Sequence, residues 1–454
     1  MDHGNEEGLA GLLASLPALG GRTANRVAVL PALCALVALA AVPPASAQVT
    51  GHVSVMADVL PDPDPQPRRQ GVVETRARLY AERRDDPGKH VRLVLSGYVD
   101  GLIGRHREGM SATYDVIARP VDMYVELAWP KVEVRLGASR IVWGRLDEFQ
   151  PTDVVNPLDL SKFLLEGRNE ARLSVGLVRA RLFLPGSATL EAIAVPGFRP
   201  GRFDQLDEPT SPFNLGATDR RFVERREPAF GRDSLQGGVR LTSTAARVDW
   251  GATVYRGLRG FPTVASRLWP TDSAGHPGPY FVETYPRFTM VGGDFESVRG
   301  AWGVRGEVAY FVRDELQSAV PLRGVRGRSV EGGAGVDRKA GDYRLAGNVL
   351  VSHRASSLDD VLARAVDEDA LNGTDVTLVV AVDRNFARET RTLRVFAVNN
   401  PGKGTMFLRA IGAVNLRDNV WLELSGGLFT GTSADTIGRL TDRDFVYARL
   451  KVYF

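Results

Sequence analysis

In the stretch DFVYARLKVYF, from Asp444 to Phe454, the side chains alternate between apolar and polar from Val446 to the last residue of the chain. A period of two with one apolar face is typical of a β-strand. The last residues of soluble domains commonly fray. A final residue that still belongs to the pattern therefore predicts a strand that is held by a neighbour. The apolar positions are Val446, Ala448, Leu450, Val452 and Phe454, and the polar ones Tyr447, Arg449, Lys451 and Tyr453.

The same alternation recurs along most of the chain. It is clear in KHVRLVLSGYVDG (89–101), AWGVRGEVAYFVRD (301–314) and YRLAGNVLVSHR (343–354). Short Gly, Asp, Asn and Pro turns such as DDPGK, NNPGKG and RKAGDY join the segments, as expected of antiparallel hairpins. With strands of about ten residues, the pattern predicts about 16–18 strands.

The composition is compatible with two kinds of protein. The 454 residues are 44% hydrophobic and 24% charged, with a mean hydropathy of -0.13 and a net charge of +3. A soluble protein has such averages, and so does a transmembrane barrel, because its lipid-facing and lumen-facing residues cancel. The charges form no long basic block, so nucleic acid is not an expected partner.

The N-terminal segment predicts export. Arg22 and Arg26 precede an apolar run from Val27 to Val42, and Ala45-Ser46-Ala47 follows. This order is typical of a cleaved signal peptide, so we expect residues 1–47 to be removed and residues 48–454 to form one domain. A membrane anchor is the alternative, for which the apolar run is short. The single cysteine, Cys34, lies in this segment, so the mature chain offers no disulfide.

Export and alternation together predict an all-β fold, a transmembrane antiparallel β-barrel in the bacterial outer membrane. A closed barrel has no edges, so the last strand should pair with the first, QVTGHVSVMADVL, which follows residue 47. Phe454 would then lie in the aromatic girdle, in contact with outer-membrane lipid. A final strand ending in Phe also resembles the signal that the outer-membrane assembly machinery recognises. A soluble secreted β-sandwich is the alternative.

The polar faces of the predicted strands carry many arginines. An arginine-lined lumen would attract anions. The alternative for each arginine is a cross-strand pair with a carboxylate, which only stiffens the wall. The candidate pore-lining residues are Arg76, Arg78, Arg92, Arg135, Arg305, Arg344, Arg394, Arg409 and Arg449, and the alternation also turns Arg313 inward.

Three connections are long: Arg145 to Glu170, Arg199 to Ser234, and Phe261 to Pro279. The first follows the strand that ends in GASRIVWG and contains Asn156-Pro157, which enforces a turn. Such a connection can fold into the lumen as a constriction or remain an extracellular loop. The sequence alone leaves both interpretations open.

The stretch GASRIVWGRLDEFQPTDVVNPLD (137–159), together with the closing WLELSGGLFTGT and ARLKVYF, resembles large outer-membrane barrels related to alginate-export channels. The resemblance covers the second quarter and the last eighth of the chain best. It implies an 18-stranded channel, in some relatives for an anionic polysaccharide. It also implies that six residues lie near the pore constriction, namely Arg140, Trp143, Arg145, Asp147, Asn156 and Asp159.

Enzymatic motifs are not evident. The histidines show no metal-ligand spacing, and neither a G-x-S-x-G elbow nor a P-loop occurs. We therefore expect no enzyme, cofactor or metal.

The predicted function is a porin-like channel for hydrophilic solutes, and the arginines favour anionic ones, with an anionic polysaccharide as one candidate. A non-conducting barrel that acts as receptor, adhesin or secretion partner is the alternative. A channel for hydrophobic compounds is a third.

Overall fold

The structure is a computed structural model, which describes residues 48–60, 72–106, 112–160, 165–202, 223–266, 281–319, 322–357, 371–432, 435, 437–441 and 443–454. The predicted signal peptide, residues 1–47, lies outside the described residues. Within the described residues, no helix has the length and apolar character needed to cross a membrane.

Eighteen strands form one sheet, and three short strands form a second. The first sheet contains β1 (Gln48–Leu60), β2 (Val72–Gly88), β3 (Val91–His106), β4 (Ala112–Ala128), β5 (Val132–Ser139), β6 (Val175–Phe183), β7 (Thr189–Val195), β9 (Gln236–Ala245), β10 (Val248–Leu258), β13 (Arg287–Arg299), β14 (Trp302–Ala319), β15 (Leu322–Ala340), β16 (Tyr343–Ser356), β17 (Thr374–Phe386), β18 (Arg391–Asn400), β19 (Thr405–Arg417), β20 (Val420–Thr430) and β21 (Phe445–Tyr453). The second sheet contains β8 (Val223–Arg226), β11 (Thr263–Ser266) and β12 (Phe281–Thr284). A short helix α1 (Arg168–Ala171) and a 3-10 turn (Gly438–Leu440) complete the regular elements of the described residues.

The large sheet closes on itself. Each strand pairs antiparallel with the next strand of that sheet along the chain, and β21 pairs antiparallel with β1. At this seam Val53 lies opposite Val452 and Val55 opposite Leu450. The last residue takes part, because Gly51 and Phe454 exchange two backbone hydrogen bonds of 3.0 Å. The predicted closed, 18-stranded antiparallel barrel and its first strand are confirmed.

The two faces of the wall differ in the way that the alternation predicts. On β21, Val446 is 58% exposed, whereas the neighbouring side chains of Phe445 and Tyr447 are each 1% exposed. The same pattern repeats on other strands, where Val304 and Val308 are exposed and Glu307 is buried. An exposed apolar belt around a closed barrel would be a large liability in water, and it suits a lipid environment.

The connections at the two mouths differ in length. At one mouth neighbouring strands are joined by short turns, including 246–247, 300–301, 341–342 and 418–419. The other mouth carries the three long connections, and two of these contribute the strands of the small sheet. In outer-membrane barrels the short turns lie on the periplasmic side.

A β-bulge changes one predicted orientation. The pairing of β14 with β15 shifts between Phe311 and Asp314, so that both of these residues are buried while Val312 and Arg313 between them are exposed. A bulge inserts a residue and reverses the alternation beyond it. The inward orientation predicted for Arg313 is therefore wrong.

Candidate pore interior

The connection between β5 and β6, residues 140–174, is called the inner segment below; its residues 161–164 lie outside the described part. Its side chains and backbone contact strands around the whole ring. A stretch that contacts opposite sides of a barrel wall must lie within the barrel, and these contacts agree with the in-folded interpretation. The contacted strands are β2, β4, β7, β13, β14, β16, β18, β19 and β21.

Glu307 of β14 is the most extensively used anchor of the inner segment. One carboxylate oxygen accepts hydrogen bonds from the backbone N–H groups of Arg145 and Leu146, the latter at 2.6 Å. The other accepts from the Thr152 hydroxyl at 3.0 Å. Hydrogen bonds to a carboxylate are roughly twice as strong as those between neutral groups. One wall residue therefore fixes both ends of the stretch 145–152.

Gly144 permits this contact. Its φ is +103°, a conformation that side chains disfavour, and a Cβ there would lie 2.8 Å from the Glu307 Oε1 atom. Glycine is the residue that meets both demands. The Trp143-Gly144 pair, singled out by its departure from the strand pattern, is therefore the point at which the chain turns into the lumen.

Charged residues fasten the next stretch of the inner segment. The Arg145 guanidinium donates to Asp294 at 2.7 Å and to Glu296 at 3.1 Å on β13. Asp147 accepts from Arg305 of β14 at 2.7 Å. These pairs join side chains about 150 positions apart in the sequence, and so they hold the segment against a distant part of the wall.

Glu148 continues the same row of contacts. It accepts from Arg394 of β18 at 2.6 Å. Burial raises the pKa of the Glu148 carboxyl above its ordinary value, although Arg394 acts in the opposite direction. The pair therefore joins a guanidinium to a carboxyl that is protonated more readily than one in water.

Two apolar side chains pack the inner segment into the interior. Trp143 is 2% exposed, lies edge-on to Tyr255 with ring centroids 5.9 Å apart, and donates its indole N–H to Glu191 at 2.7 Å. Leu165 packs into a second cluster that includes Phe407 and Phe445 of the wall. Burying a large apolar side chain contributes about 1.5–3 kcal/mol, so these two residues add substantially to the ionic contacts.

The remaining predicted constriction residues hold the base of the inner segment. Asn156 accepts from the Ile141 N–H at 2.7 Å and donates to the carbonyls of Ser139 and Leu173, so it joins both ends of the segment. Arg140 pairs with Asp122 at 3.0 Å, and Asp159 pairs with Arg119 at 3.0 Å. All six residues named from the resemblance thus lie in this segment and contact the wall or each other.

Within the segment, Asp153 is a second centre of contacts. Its carboxylate accepts from Arg168 at 3.2 Å and from Arg172 at 2.9 Å, both on or beside α1. Arg172 also donates to Gln150 at 2.6 Å. The segment therefore has an internal polar core of its own and is more than an extended strap.

The far end of the inner segment meets three of the predicted pore-lining arginines. Glu166 accepts from Arg78 at 2.6 Å and from Arg76 at 3.2 Å. Arg409 donates at 2.7 Å to the backbone carbonyl of Leu165 and at 2.7 Å to the Tyr447 hydroxyl. These three arginines contact the inner segment directly, and their role as pore-lining residues stays a prediction.

The other predicted arginines are paired along the wall. Arg135 binds Glu126 at 2.5 Å, and Arg449 binds Glu423 at 2.6 Å. Arg344 lies 3.3 Å from Asp337, which also binds Arg305. Arg92 differs, because it is exposed near a short turn and pairs with Asp86 at 3.0 Å. Most of the predicted pore-lining arginines are thus matched locally by carboxylates.

Sequence reasoning missed some of the carboxylates that receive these arginines, whereas the alternation does turn Asp100, Asp383 and Glu423 inward. Glu148 and Glu166 lie outside the strands, where no alternation assigns a face, and Asp294 and Asp337 are missed although they lie on strands. A search for acidic residues at the strand positions that neighbour each arginine could have found Asp337. The ionic contacts of the inner segment with β2, β13, β14 and β18 carry no sequence signal, because they join residues about 90 to 250 positions apart.

Two adjoining cavities lie along strands β14 to β17, and one of them also borders the inner segment. One has a volume of about 320 Å³ and is bordered by Arg259, Asp314 and Leu316. The other, of about 330 Å³, is bordered by Phe149 and Gln150 of the inner segment. They share Arg259, Glu331 and Ser352, so they meet at Glu331 on the inner face of β15.

No group of three or more His, Cys, Asp or Glu side chains among the described residues is arranged to hold a metal ion.

A family model, described as a protein of unknown function (DUF1302), matches residues 106–331 of this chain. No curated protein matches it. Among solved structures, the chain is similar to OccAB3 of Acinetobacter baumannii (10% identity, 90% of this chain and 100% of that one, TM-score 0.49). It is also similar to a BenF-like porin from Pseudomonas fluorescens Pf-5 (10%, 90% and 98%, 0.49) and to OccK5 of Pseudomonas aeruginosa (10%, 90% and 96%, 0.47). The closed barrel itself is established by the strand register of this chain.

Proposed function

We propose that this protein is a porin-like channel of the bacterial outer membrane, through which hydrophilic solutes pass. The observation that carries the proposal is the inner segment, held by charged side chains inside a barrel whose outer face is apolar. A polar interior within an apolar belt is the arrangement that lets water and solutes cross lipid. The two adjoining cavities along strands β14 to β17 supply space for a solute.

The preference for anions, and for an anionic polysaccharide in particular, stays a prediction. It rests on the excess of arginine and on the resemblance to alginate-export channels. The pairs of Arg135, Arg305, Arg344, Arg394 and Arg449 with carboxylates reduce the field that these arginines can exert. A solute therefore responds to the charges that remain unbalanced.

A second candidate function follows from the same inner segment. A segment fastened on all sides can close a barrel, and a closed barrel would act as a receptor, adhesin or secretion partner. The apolar packing of Trp143 and Leu165 favours a permanently seated segment.

Single-channel recording distinguishes the two candidates. The refolded protein is inserted into a planar bilayer with a salt gradient across it, and folding is verified by the heat-dependent shift in gel mobility. Steady conductance is the expected result, and the sign of the reversal potential reports the preferred ion. Silence from folded protein would favour the closed barrel.

A further inference from the structure

Glu331 differs from the other charged side chains of the pore interior. Its carboxylate borders both cavities, and it has no hydrogen bond or direct ion pair with any part of the chain that the structure describes. The guanidiniums of Arg259 and Arg354 act on it only at longer range. It lies opposite Ala309 of β14 and Ser352 of β16, a row that faces the interior. A carboxylate inside a protein is costly to leave without a partner, so its partner is expected to come from solution.

The lining of the two cavities is acidic overall. Among the described residues it contains five carboxylates and three guanidiniums. The carboxylates are Asp153, Asp314, Glu315, Glu331 and Asp375, and the guanidiniums are Arg168, Arg259 and Arg354.

The three guanidiniums of this lining are already engaged. Arg259 binds Asp314 with contacts of 2.5 and 3.0 Å and lies over the ring of Phe311 at 4.2 Å. Arg354 binds Asp375. Arg168 binds Asp153 at 3.2 Å. Each of these arginines has its own carboxylate and is held by it.

Two further basic side chains bind carboxylates of these pairs. Lys403 also binds Asp375 at 3.1 Å, and Arg172 also binds Asp153. Neither borders a cavity. They reduce the local excess of negative charge without offering a positive group to a solute.

Glu315 is the second carboxylate of the lining that has no cationic partner among the described residues. Within them it accepts one hydrogen bond, from the hydroxyl of Thr263 of β11 at 2.5 Å. Glu315 and Glu331 border the same cavity of about 320 Å³. That cavity also presents the apolar side chains of Phe261, Pro262 and Leu316 between its polar groups.

We infer that this cavity is a binding site for a short linear organic dication, such as a diamine, on the solute's route through the barrel. Glu315 and Glu331, which have no cationic partner among the described residues, would each take one ammonium group, and the apolar side chains would contact the methylene chain between them. The inference rests on the proposed channel function and names the class of solute for it. The inference predicts that this cavity favours cations. An interior whose charge is set by the arginines would instead favour anions.

Block of the channel current by butane-1,4-diamine tests the inference, with butane-1,4-diol as the neutral probe of the same shape. The diamine should block wild-type current at a concentration at which the diol has no effect. Glu331→Gln and Glu315→Gln should each raise the concentration for half-block about tenfold, since each removes one charge-assisted contact. Glu126→Gln is the control, because Glu126 binds Arg135 in the wall and borders neither cavity.

Equal block by diamine and diol, or unchanged block in both cavity variants, would overturn the inference. Equal block by magnesium chloride would also overturn it, because a metal cation would then explain the site. Neither substitution removes an ion pair, so the variants should fold as the wild type does.

If the folded protein does not conduct, the channel proposal fails and the site is tested by calorimetry in detergent. Diamine binding that the double variant loses would support the site independently of conduction. The absence of diamine binding to the wild type would overturn it.

Discussion

The wall of this barrel and its inner segment are held by different kinds of interaction. The wall depends on a regular backbone ladder between neighbouring strands, and even its seam repeats that ladder, with Gly51 paired to Phe454. The inner segment depends on side chains, and its main anchor, Glu307, binds residues more than 150 positions away. A backbone ladder tolerates most substitutions, whereas a position that a few side chains maintain is sensitive to each of them.

The strongest test of this difference is Glu307→Gln. The carboxylate uses both oxygens, and an amide has only one acceptor, so part of the inner segment loses its anchor. Hydrogen bonds to charged groups contribute about 1.5–3 kcal/mol each. We expect the conductance to rise about twofold or more through the loosened segment, with the barrel intact.

The matched control for Glu307→Gln is Glu126→Gln, which removes a wall carboxylate without a contact to the inner segment. Both variants should keep the heat-dependent gel shift of folded barrels. An unchanged conductance in Glu307→Gln would mean that the segment is held chiefly by Trp143, Leu165 and its other contacts.

The second prediction concerns the arginines that join wall and segment. Replacement of Arg344, Arg394 and Arg409 by Gln removes three positive charges and leaves Asp337, Asp383 and Glu148 less balanced. The ratio of anion to cation permeability should fall by about threefold, because the charges are partly screened. The reversal potential under a salt gradient measures this ratio. An unchanged reversal potential would show that these arginines do not face the conducting route.

The third prediction tests the wall alone. Phe454→Ser should lower the yield of folded barrel, because the Phe454 ring packs over Gly51, where a Cβ would lie 2.7 Å from the ring. Loss of this packing should cost about 1–2 kcal/mol at the seam. Phe230→Ser, an exposed position on a long connection, is the control. The folded fraction is measured by gel mobility, and equal yields of both variants would exclude a special role for the last residue.

The smallest expected effect is a pH dependence of the Glu148–Arg394 pair. Burial raises the pKa of Glu148, so the carboxyl takes up a proton at a higher pH than an exposed glutamate does. As the pH falls through this pKa, Arg394 loses a partner and gains unbalanced charge. Conductance and anion preference should rise modestly between about pH 7 and 4. This pH dependence should be absent in Glu148→Gln. If it persists in that variant, another carboxyl is responsible for it.

Most of the wall could be predicted from the sequence, because its information is local. The alternation predicts the correct faces on β21 and on β14 up to its bulge. Asp418-Asn419, residue types that favour turns, joins β19 to β20, and Asn419 has a positive φ there. The inward orientation predicted for Arg313 was wrong because a bulge arises from the pairing of two strands. The alternation of a single strand does not reveal it.

The sequence by itself determined the fold class, the strand number to within the range 16–18, and the first and last strands, since a period of two follows from neighbouring residues. It also singled out the segment that begins at Trp143-Gly144. Only the tertiary structure decided where that segment lies, which carboxylates neutralise the arginines, and that Glu331 keeps no partner among the described residues. The physical reason is that ion pairs act through space over a few ångströms, whatever the distance along the chain, so their partners become known only once the barrel closes.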